Sequence, residues 1–237
     1  MLSGYDFMRV ALIPARGGSQ RIPKKNIKHF HGRPLISYSI HVAINSGLFD
    51  RVIVSTESLE VAKVAEQYGA EVPFLRPAEL ADDFTPLAAV TEHAIKWLEQ
   101  NDCRPKYLCG IFATAPMICA EDLCKGYDVL VKAPTVRTSL AVTTFPFPVQ
   151  RALEITSENL IEMMHPKYEL TRSQDLKIAY HDAGQFFWKA LGDVEVDSCR
   201  PVIIDRFRVQ DIDTEEDWAT AELQYTLVQG MRHDRRY

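Results

Sequence analysis

The sequence predicts an α/β protein, a mainly parallel sheet sandwiched by helices, and three observations carry that prediction. Short apolar runs alternate with helical patterns along most of the chain, which calls for crossover connections and parallel strands. The 237 residues, 46% hydrophobic and 25% charged, suit one domain with a sizeable core. A basic loop follows the first apolar run directly, and in open parallel sheets ligands sit beyond the carboxyl ends of strands.

The elements follow in order. Val10 to Pro14 is a short apolar strand. Pro34 stands where a helix starts and Gly47 where it stops, with Ile36, Ile40 and Ala43 at helical spacing between them. "RVIVS", Arg51 to Ser55, is a strand, and Ser58 caps a helix that Gly69 ends after Tyr68. Val72 to Leu75 reads as another short strand. Thr85 and Pro86 supply the cap and first turn of a helix to about Gln100. Tyr107 to Phe112 is a strand, Glu121 to Lys132 a helix, and Leu140 to Phe145 a strand. Residues 146–180, with Pro146, Pro148 and Pro166, break the alternation and read as an excursion, either a lid or a dimer arm. Gln185 to Lys189 resumes as strand, and Val202 to Ile204 is a short apolar piece. Thr214 opens the last helix, to about Gln229, with Asp217 placed for a capping box. The order is Rossmann-like. It gives one domain over residues 9–229, with flexible tails expected at 1–8 and 230–237.

Composition excludes several classes. The net charge of −5 argues against a general nucleic-acid binder. There is no apolar run of 18 residues, so no membrane-spanning helix is expected. "MLSGYDF" shows no basic region or long apolar core, so no leader peptide is expected, and Met8 is an alternative start. The five cysteines are odd in number and lack C-x-x-C spacing, which fits reduced thiols in a cytoplasm. Cys119 and Cys124 read as packed thiols on a helix rather than a zinc site.

Within an acidic chain, "ALIPARGGSQRIPKKNI" gathers Arg16, Arg21, Lys24 and Lys25 around Gly17, Gly18 and Ser19. Adjacent glycines let backbone N–H groups approach a ligand, the serine adds a donor, and the cations neutralise charge. The loop therefore suits a polyphosphate; a solvated basic loop is the plainer alternative. It is neither a Walker loop nor a dinucleotide fingerprint, since "GxxxxGK[ST]" and the third glycine are both absent. In "VQDIDTEEDW", Asp211 and Asp213 point to one side of an extended segment, and paired hard carboxylates suit Mg²⁺. Alone, Asp213 could merely precede the Thr214 cap. Together, loop and carboxylates imply nucleotidyl transfer: a hydroxyl attacks the α-phosphate of a nucleoside triphosphate and pyrophosphate leaves. Arg16, Lys25 and Asp211 are then the catalytic candidates, with Arg16 and Lys25 holding the departing phosphates.

These residues carry a resemblance. "IPARGGSQRIPKKNI" is similar to the nucleotide loop of the CMP-sialic acid synthetases, the acylneuraminate cytidylyltransferase family, and "RPAELADD", "YHDAGQFFW" and "DIDTEEDW" follow in that family's order. "TRSQDLKIAYHDAG" and "VQDIDTEEDW" are most similar to the branch acting on pseudaminic acid. The resemblance implies a nucleotidyltransferase-type fold, CTP and a nonulosonic acid sugar as substrates, Mg²⁺ as cofactor, no nucleic-acid or membrane partner, and a homodimer formed through 146–180. It implies that Arg16, Ser19 and Lys25 contact the triphosphate, that Asn26 reads cytosine while Ala15 excludes a purine, and that Gly17, Gly18 and Arg21 complete the loop. Arg76 and Asp83 order the loop over base or sugar, with a surface ion pair as the alternative. Asp211 and Asp213 hold Mg²⁺. On the sugar side it implies Phe112, Ala113, Thr114, Arg172, Gln174, Tyr180, His181 and Asp182.

Two positions depart from the family pattern. Gln20 replaces the usual lysine, with Arg21 as a compensating charge. "FATAP", Phe112 to Pro116, stands where sialic acid synthetases read "LQPTSP", so the sugar-contacting glutamine is lost and a more apolar sugar is expected. Two other classes stay open at this point. One is a metal-dependent glycosyltransferase, disfavoured because its Asp-x-Asp falls near mid-chain. The other is a non-catalytic nucleotide-binding regulator, disfavoured because the carboxylates and cations are all kept.

Overall fold

The computed structural model describes residues 8–82, 84–133, 135–192 and 196–234. Strand β1 (Arg9–Pro14) is followed by a short hairpin, β2 (His29–Phe30) and β3 (Arg33–Pro34), whose turn places His31 and Gly32 at φ 45° and 87°. Helix α1 (Ile36–Asn45), strand β4 (Arg51–Ser55), helices α2 (Leu59–Gln67) and α3 (Leu87–Gln100), strand β5 (Tyr107–Ile111) and helix α4 (Ala120–Lys132) follow. Strand β6 (Val136–Thr144) leads into the excursion, which holds a hairpin of β7 (Leu153–Ile155) and β8 (Ile161–Met163). Strands β9 (Tyr180–Ala190) and β10 (Val196–Ile203) and helix α5 (Glu215–Asp234) complete the chain.

The main sheet has the order β10-β6-β9-β5-β1-β4. Every neighbouring pair is parallel except the two that involve β9. The predicted parallel sheet is therefore correct for five strands, with one antiparallel strand in its middle. Odd residues of β1 pack with α1, α2 and α4: Ala11 and Ile13 share a core with Ile40, Val61 and Leu123. Even residues pack with α3: Val10 and Leu12 share a core with Ala94 and Leu98. That two-sided burial explains why β1 is apolar from Val10 to Pro14. A third cluster seats α5 through Trp218 and Ala221 on Phe30, Leu35, Tyr38 and Ile212. The Thr214–Asp217 capping box forms as expected, with Asp217 accepting from the Thr214 N–H at 2.8 Å and the Asp217 N–H donating to Thr214 Oγ1 at 3.2 Å.

Several expectations shift. Pro34 closes the small hairpin, so α1 starts two residues later. Val72 to Leu75 makes only isolated bridges through Glu71 and Leu75; Pro73 has no N–H to give a ladder. Thr85 does not cap α3. Its hydroxyl and N–H both donate at 2.6 Å to Asp82, and Pro86 stands at the cap position. Helix α5 continues past Gln229 to Asp234. Met8 is half-buried against Cys103 and Leu108, so neither expected tail is as long as read; residues 1–7 and 235–237 lie outside the described residues. The excursion is largely exposed, and Leu170 is 96% exposed.

Candidate active site

Strand β1 has β4 on one side and β5 on the other, so the chain leaves β1 and β5 in opposite directions and opens a crevice at their carboxyl ends. A cavity of about 310 Å³ fills it, lined among others by Arg16, Ser19, Arg21, Lys25, Asn26, Arg76, Phe112, Ala113, Thr114 and Asp213. A wider, open cavity of about 960 Å³ lies alongside and is lined by Phe112, His181, Asp182, Arg206, Gln210 and Asp211. Phe112 belongs to both walls. Asp211 lines the larger cavity and Asp213 the smaller, so the two carboxylates do not share one cavity as the one-sided reading expects, although the Ile212 side chain between them is fully buried in the α5 cluster.

The basic loop and the Asp-x-Asp segment meet in space. Lys25, in a short 3-10 turn after the left-handed Lys24, donates to the Ile212 carbonyl at 2.5 Å and to Asp213 Oδ1 at 3.1 Å. Arg21 Nη2 donates to Asp213 Oδ2 at 2.7 Å. The Asp211 carboxyl is pushed above the ordinary aspartate range, first by desolvation and then by the Asp213 charge, with Lys25 opposing. A carboxylate that suffers from its neighbour is a carboxylate that a cation would relieve.

Individual roles differ from expectation. Gly17 is needed for close packing: a Cβ there would lie 2.8 Å from that of Ser58, whereas Gly18 has open space. The Gly17 N–H does not face the cavity; it donates to Glu57 Oε1 at 2.6 Å. Ala15 is buried in the core beneath the loop and does not line the cavity, since strand alternation turns it toward α1. Asn26 is buried and spends one of its two amide N–H groups on the Arg16 carbonyl at 2.8 Å, so it holds the loop's shape while its second N–H and its carbonyl oxygen remain for a ligand.

Arg76 is no surface residue. It is buried, pairs with Glu57 Oε2 at 2.9 Å, and keeps a buried Nε–H without a partner. Burial raises the Glu57 carboxyl, but the bonds from Arg76 and Gly17 outweigh this and bring it below the ordinary glutamate range. Asp83 lies outside the described residues. Ala113 and Thr114 line the smaller cavity with the basic loop rather than the cavity of His181 and Asp182. Asp182 Oδ1 accepts the Gly184 N–H at 2.8 Å, where Gly184 sits at φ 59°, and His181 Nδ1 donates to the Asp182 carbonyl at 2.8 Å. Tyr180 is partly exposed at the strand's start and lines neither cavity. Arg172 and Gln174 also line neither. They sit exposed on the excursion, where Arg172 pairs with Asp175 at 2.7 Å.

Sequence reasoning missed Glu57, Arg206 and Gln210. Glu57 had a usable signal: it stands two residues past the end of β4, on the ligand side of the sheet. Arg206 had none, and Gln210 had only its place beside Asp211.

A two-cavity crevice at the switch point of a mainly parallel sheet, with cations and acidic side chains joined at its centre, defines a nucleotidyltransferase. The chain belongs to the cytidylyltransferase family, whose model matches residues 10–209. It is 39% identical over 224 residues to a pseudaminic acid cytidylyltransferase of Campylobacter jejuni, covering 92% of this chain and 96% of that one. It is also 34% identical over 178 residues to a Helicobacter pylori protein named as both a pseudaminic acid cytidylyltransferase and a UDP-2,4-diacetamido-2,4,6-trideoxy-beta-L-altropyranose hydrolase, covering 75% of this chain and 34% of that one. A solved structure of CMP:2-keto-3-deoxy-manno-octonic acid synthetase complexed with CTP superposes with a TM-score of 0.68 at 13% identity, over 94% of this chain and 99% of that one, and shares the fold. Among the described residues, no helix is long and apolar enough to cross a membrane.

Proposed function

We propose that the chain transfers CMP from CTP to pseudaminic acid, giving CMP-pseudaminic acid and pyrophosphate for flagellar or surface glycan synthesis. The observation that carries this reading is the Lys25–Asp213–Arg21 cluster in the smaller cavity, two residues along the chain from Asp211 on the larger one. One cavity has phosphate-binding cations and a buried Arg76; the other has room for a nine-carbon sugar acid. CTP in the first presents its α-phosphate at the seam, and the sugar's anomeric hydroxyl approaches from the second. Lys25 and Arg21 leave Asp213 for the incoming phosphates, and with Arg16 they neutralise the departing pyrophosphate. Glu57 keeps Arg76 and the loop in register while this happens. Phe112, half in each cavity, seats both substrates and offers the sugar an apolar wall.

Asp211 and Asp213 fit Mg²⁺ by their chemistry, two hard carboxylates with the Asp211 pKa raised by its neighbour. Bound there, Mg²⁺ would polarise the α-phosphate and lower the pKa of the attacking hydroxyl. The relatives' names support the choice of acid, as does the loss of the family's glutamine at Phe112.

The same reading takes the chain as a cytoplasmic homodimer. No disulfide forms among the described residues. Exposed Leu153, Ile155, Ile161 and Leu170 make the excursion apolar, and exposed Ile203 on the edge strand β10 adds to the apolar surface. A second copy seated on these surfaces would also bring Arg172 and Gln174 toward a sugar.

The test is pyrophosphate release with Mg²⁺ from CTP, ATP, GTP or UTP across pseudaminate, legionaminate, N-acetylneuraminate and octulosonate. Release only with CTP and pseudaminate is expected. Release with another acid overturns the choice of sugar, and release with none overturns the reaction.

A further inference from the structure

One ion pair outside both cavities ties their walls together. Asp122, in the first turn of α4 and 1% exposed, accepts two bonds from Arg208, Nη1 to Oδ2 at 2.6 Å and Nη2 to Oδ1 at 3.0 Å. The same carboxylate accepts from the Cys119 thiol at 2.9 Å. Burial and Asp122 push that thiol up to about 11, so it stays protonated and serves as a donor. A buried ion pair is a poor source of stability, because desolvating both charges offsets their attraction. Its presence calls for a positional reason.

Geometry supplies one. Helix α4 cannot shift. A Cβ on Gly126 would come within 2.6 Å of Trp188, and Trp188 Nε1 donates to the Leu123 carbonyl at 3.1 Å. Asp122 is therefore a fixed post. It follows the loop that starts at Phe112 and is anchored by buried Ala113, Ala115, Met117 and Ile118. On the other side, Arg208 stands three residues before Asp211. Its carbonyl accepts from the buried Gln185 amide at 2.6 Å, so the residue is held at both its side chain and its backbone. Ile212, buried just after Asp211, is the next anchor. Asp211 hangs between these two anchors.

We propose that Asp122 and Arg208 are a positioning pair that sets the spacing between the Phe112 loop and the Asp211 segment, and so aims the Asp211 carboxylate at the seam where a divalent cation and the sugar acid meet. The inference rests on the cytidylyl-transfer reading above. Neither residue touches substrate, so both act through Asp211. The planar Arg208 fork is essential to this role, since a lysine keeps the charge but loses the bidentate geometry.

The test compares Arg208→Lys and Asp122→Asn with the parent in the full chain. Mn²⁺ binding is followed by electron paramagnetic resonance with CTP and no sugar acid; sugar-acid and CTP KM values and the melting temperature are measured alongside. Loss of a group that orients a metal ligand typically weakens metal affinity by about 10- to 100-fold. Arg208→Lys is expected to weaken Mn²⁺ by roughly tenfold and raise the sugar-acid KM, with metal-free CTP binding within about twofold of the parent. A lowered melting temperature with unchanged Mn²⁺ affinity and sugar KM would overturn the proposal, since a merely structural pair behaves that way. Where Asp122→Asn does not fold, Arg208→Lys decides. A parent that turns over no sugar acid counts against the reaction, and the Mn²⁺ titration of the variants still decides the positioning role.

Discussion

Glu57→Gln separates nucleotide binding from chemistry. In the parent, one carboxylate receives the Gly17 N–H at 2.6 Å and Arg76 Nη2 at 2.9 Å. A glutamine can keep the first bond with its carbonyl, but its amide then points a donor at the buried guanidinium. Hydrogen bonds to charged groups contribute roughly 1.5–3 kcal/mol, and breaking a buried pair costs about 3–5 kcal/mol. The Arg76 side chain is 4% exposed and that of Glu57 23%, so the loss falls toward the low end, about 2 kcal/mol. Expressed in CTP binding, that is about a 30-fold rise in KM at nearly unchanged kcat. Steady-state pyrophosphate release at saturating sugar acid measures it. The acid limb of stability gives an independent check. The folded Glu57 pKa lies below its ordinary value, so its contribution is present above the unfolded pKa and is lost as pH falls through the folded one. The gap in melting temperature between parent and variant, full at pH 7, should close below about pH 4. A variant with normal CTP KM and normal melting at pH 7 would refute the reasoning.

Other perturbations probe separate parts. Asp211→Ala should abolish turnover while leaving the melting temperature within a few degrees, because the side chain is exposed; measurable turnover would sink its metal role. Gly126→Ala should lower the unfolding free energy in a urea titration by about 1–3 kcal/mol, since its Cβ would meet Trp188 at 2.6 Å, and an unchanged midpoint would mean that α4 has room to move. Leu170→Asp should shift sedimentation from dimer toward monomer and raise the sugar-acid KM; a monomeric parent removes the excursion's proposed role.

The parts of the fold that were legible are those where one local rule decides. The continuous apolar run of β1, the Ser58 cap and the Thr214–Asp217 box each carry their own signal, and each forms. Strand β10 shows in the sequence only as the short apolar piece Val202 to Ile204, because its preceding residues, with Arg200 and Pro201, carry no apolar run. It lies at the sheet's edge, where a missing N–H is tolerated. Strand β9 was shortened for a different reason. Its first residues are polar because Tyr180 is exposed and His181 and Asp182 line a cavity rather than a core, and a register shift separates them from the apolar half. In the site, charge clusters were legible and their partners were not. The sequence shows that Lys25 and Asp213 are chemical residues, but only tertiary contact shows that they neutralise each other, or that Glu57 takes the N–H that Gly17 was expected to offer a phosphate.

The reversed strand accounts for the second cavity. An all-parallel sheet offers one crevice, at the point where strand order turns. Here β9 runs opposite to β5 and β6, so its amino end lies beside their carboxyl ends. It therefore brings His181 and Asp182 to the ligand side of the sheet, pairing them with Thr143 and Val142. A parallel strand in that place would bring its carboxyl end instead, and a loop leading away from it. The antiparallel entry lets the exposed excursion deliver the chain directly into the second cavity, next to Asp211. The irregularity that sequence periodicity handled least well thus turns a single nucleotide crevice into adjoining sites, with Phe112 as their common wall.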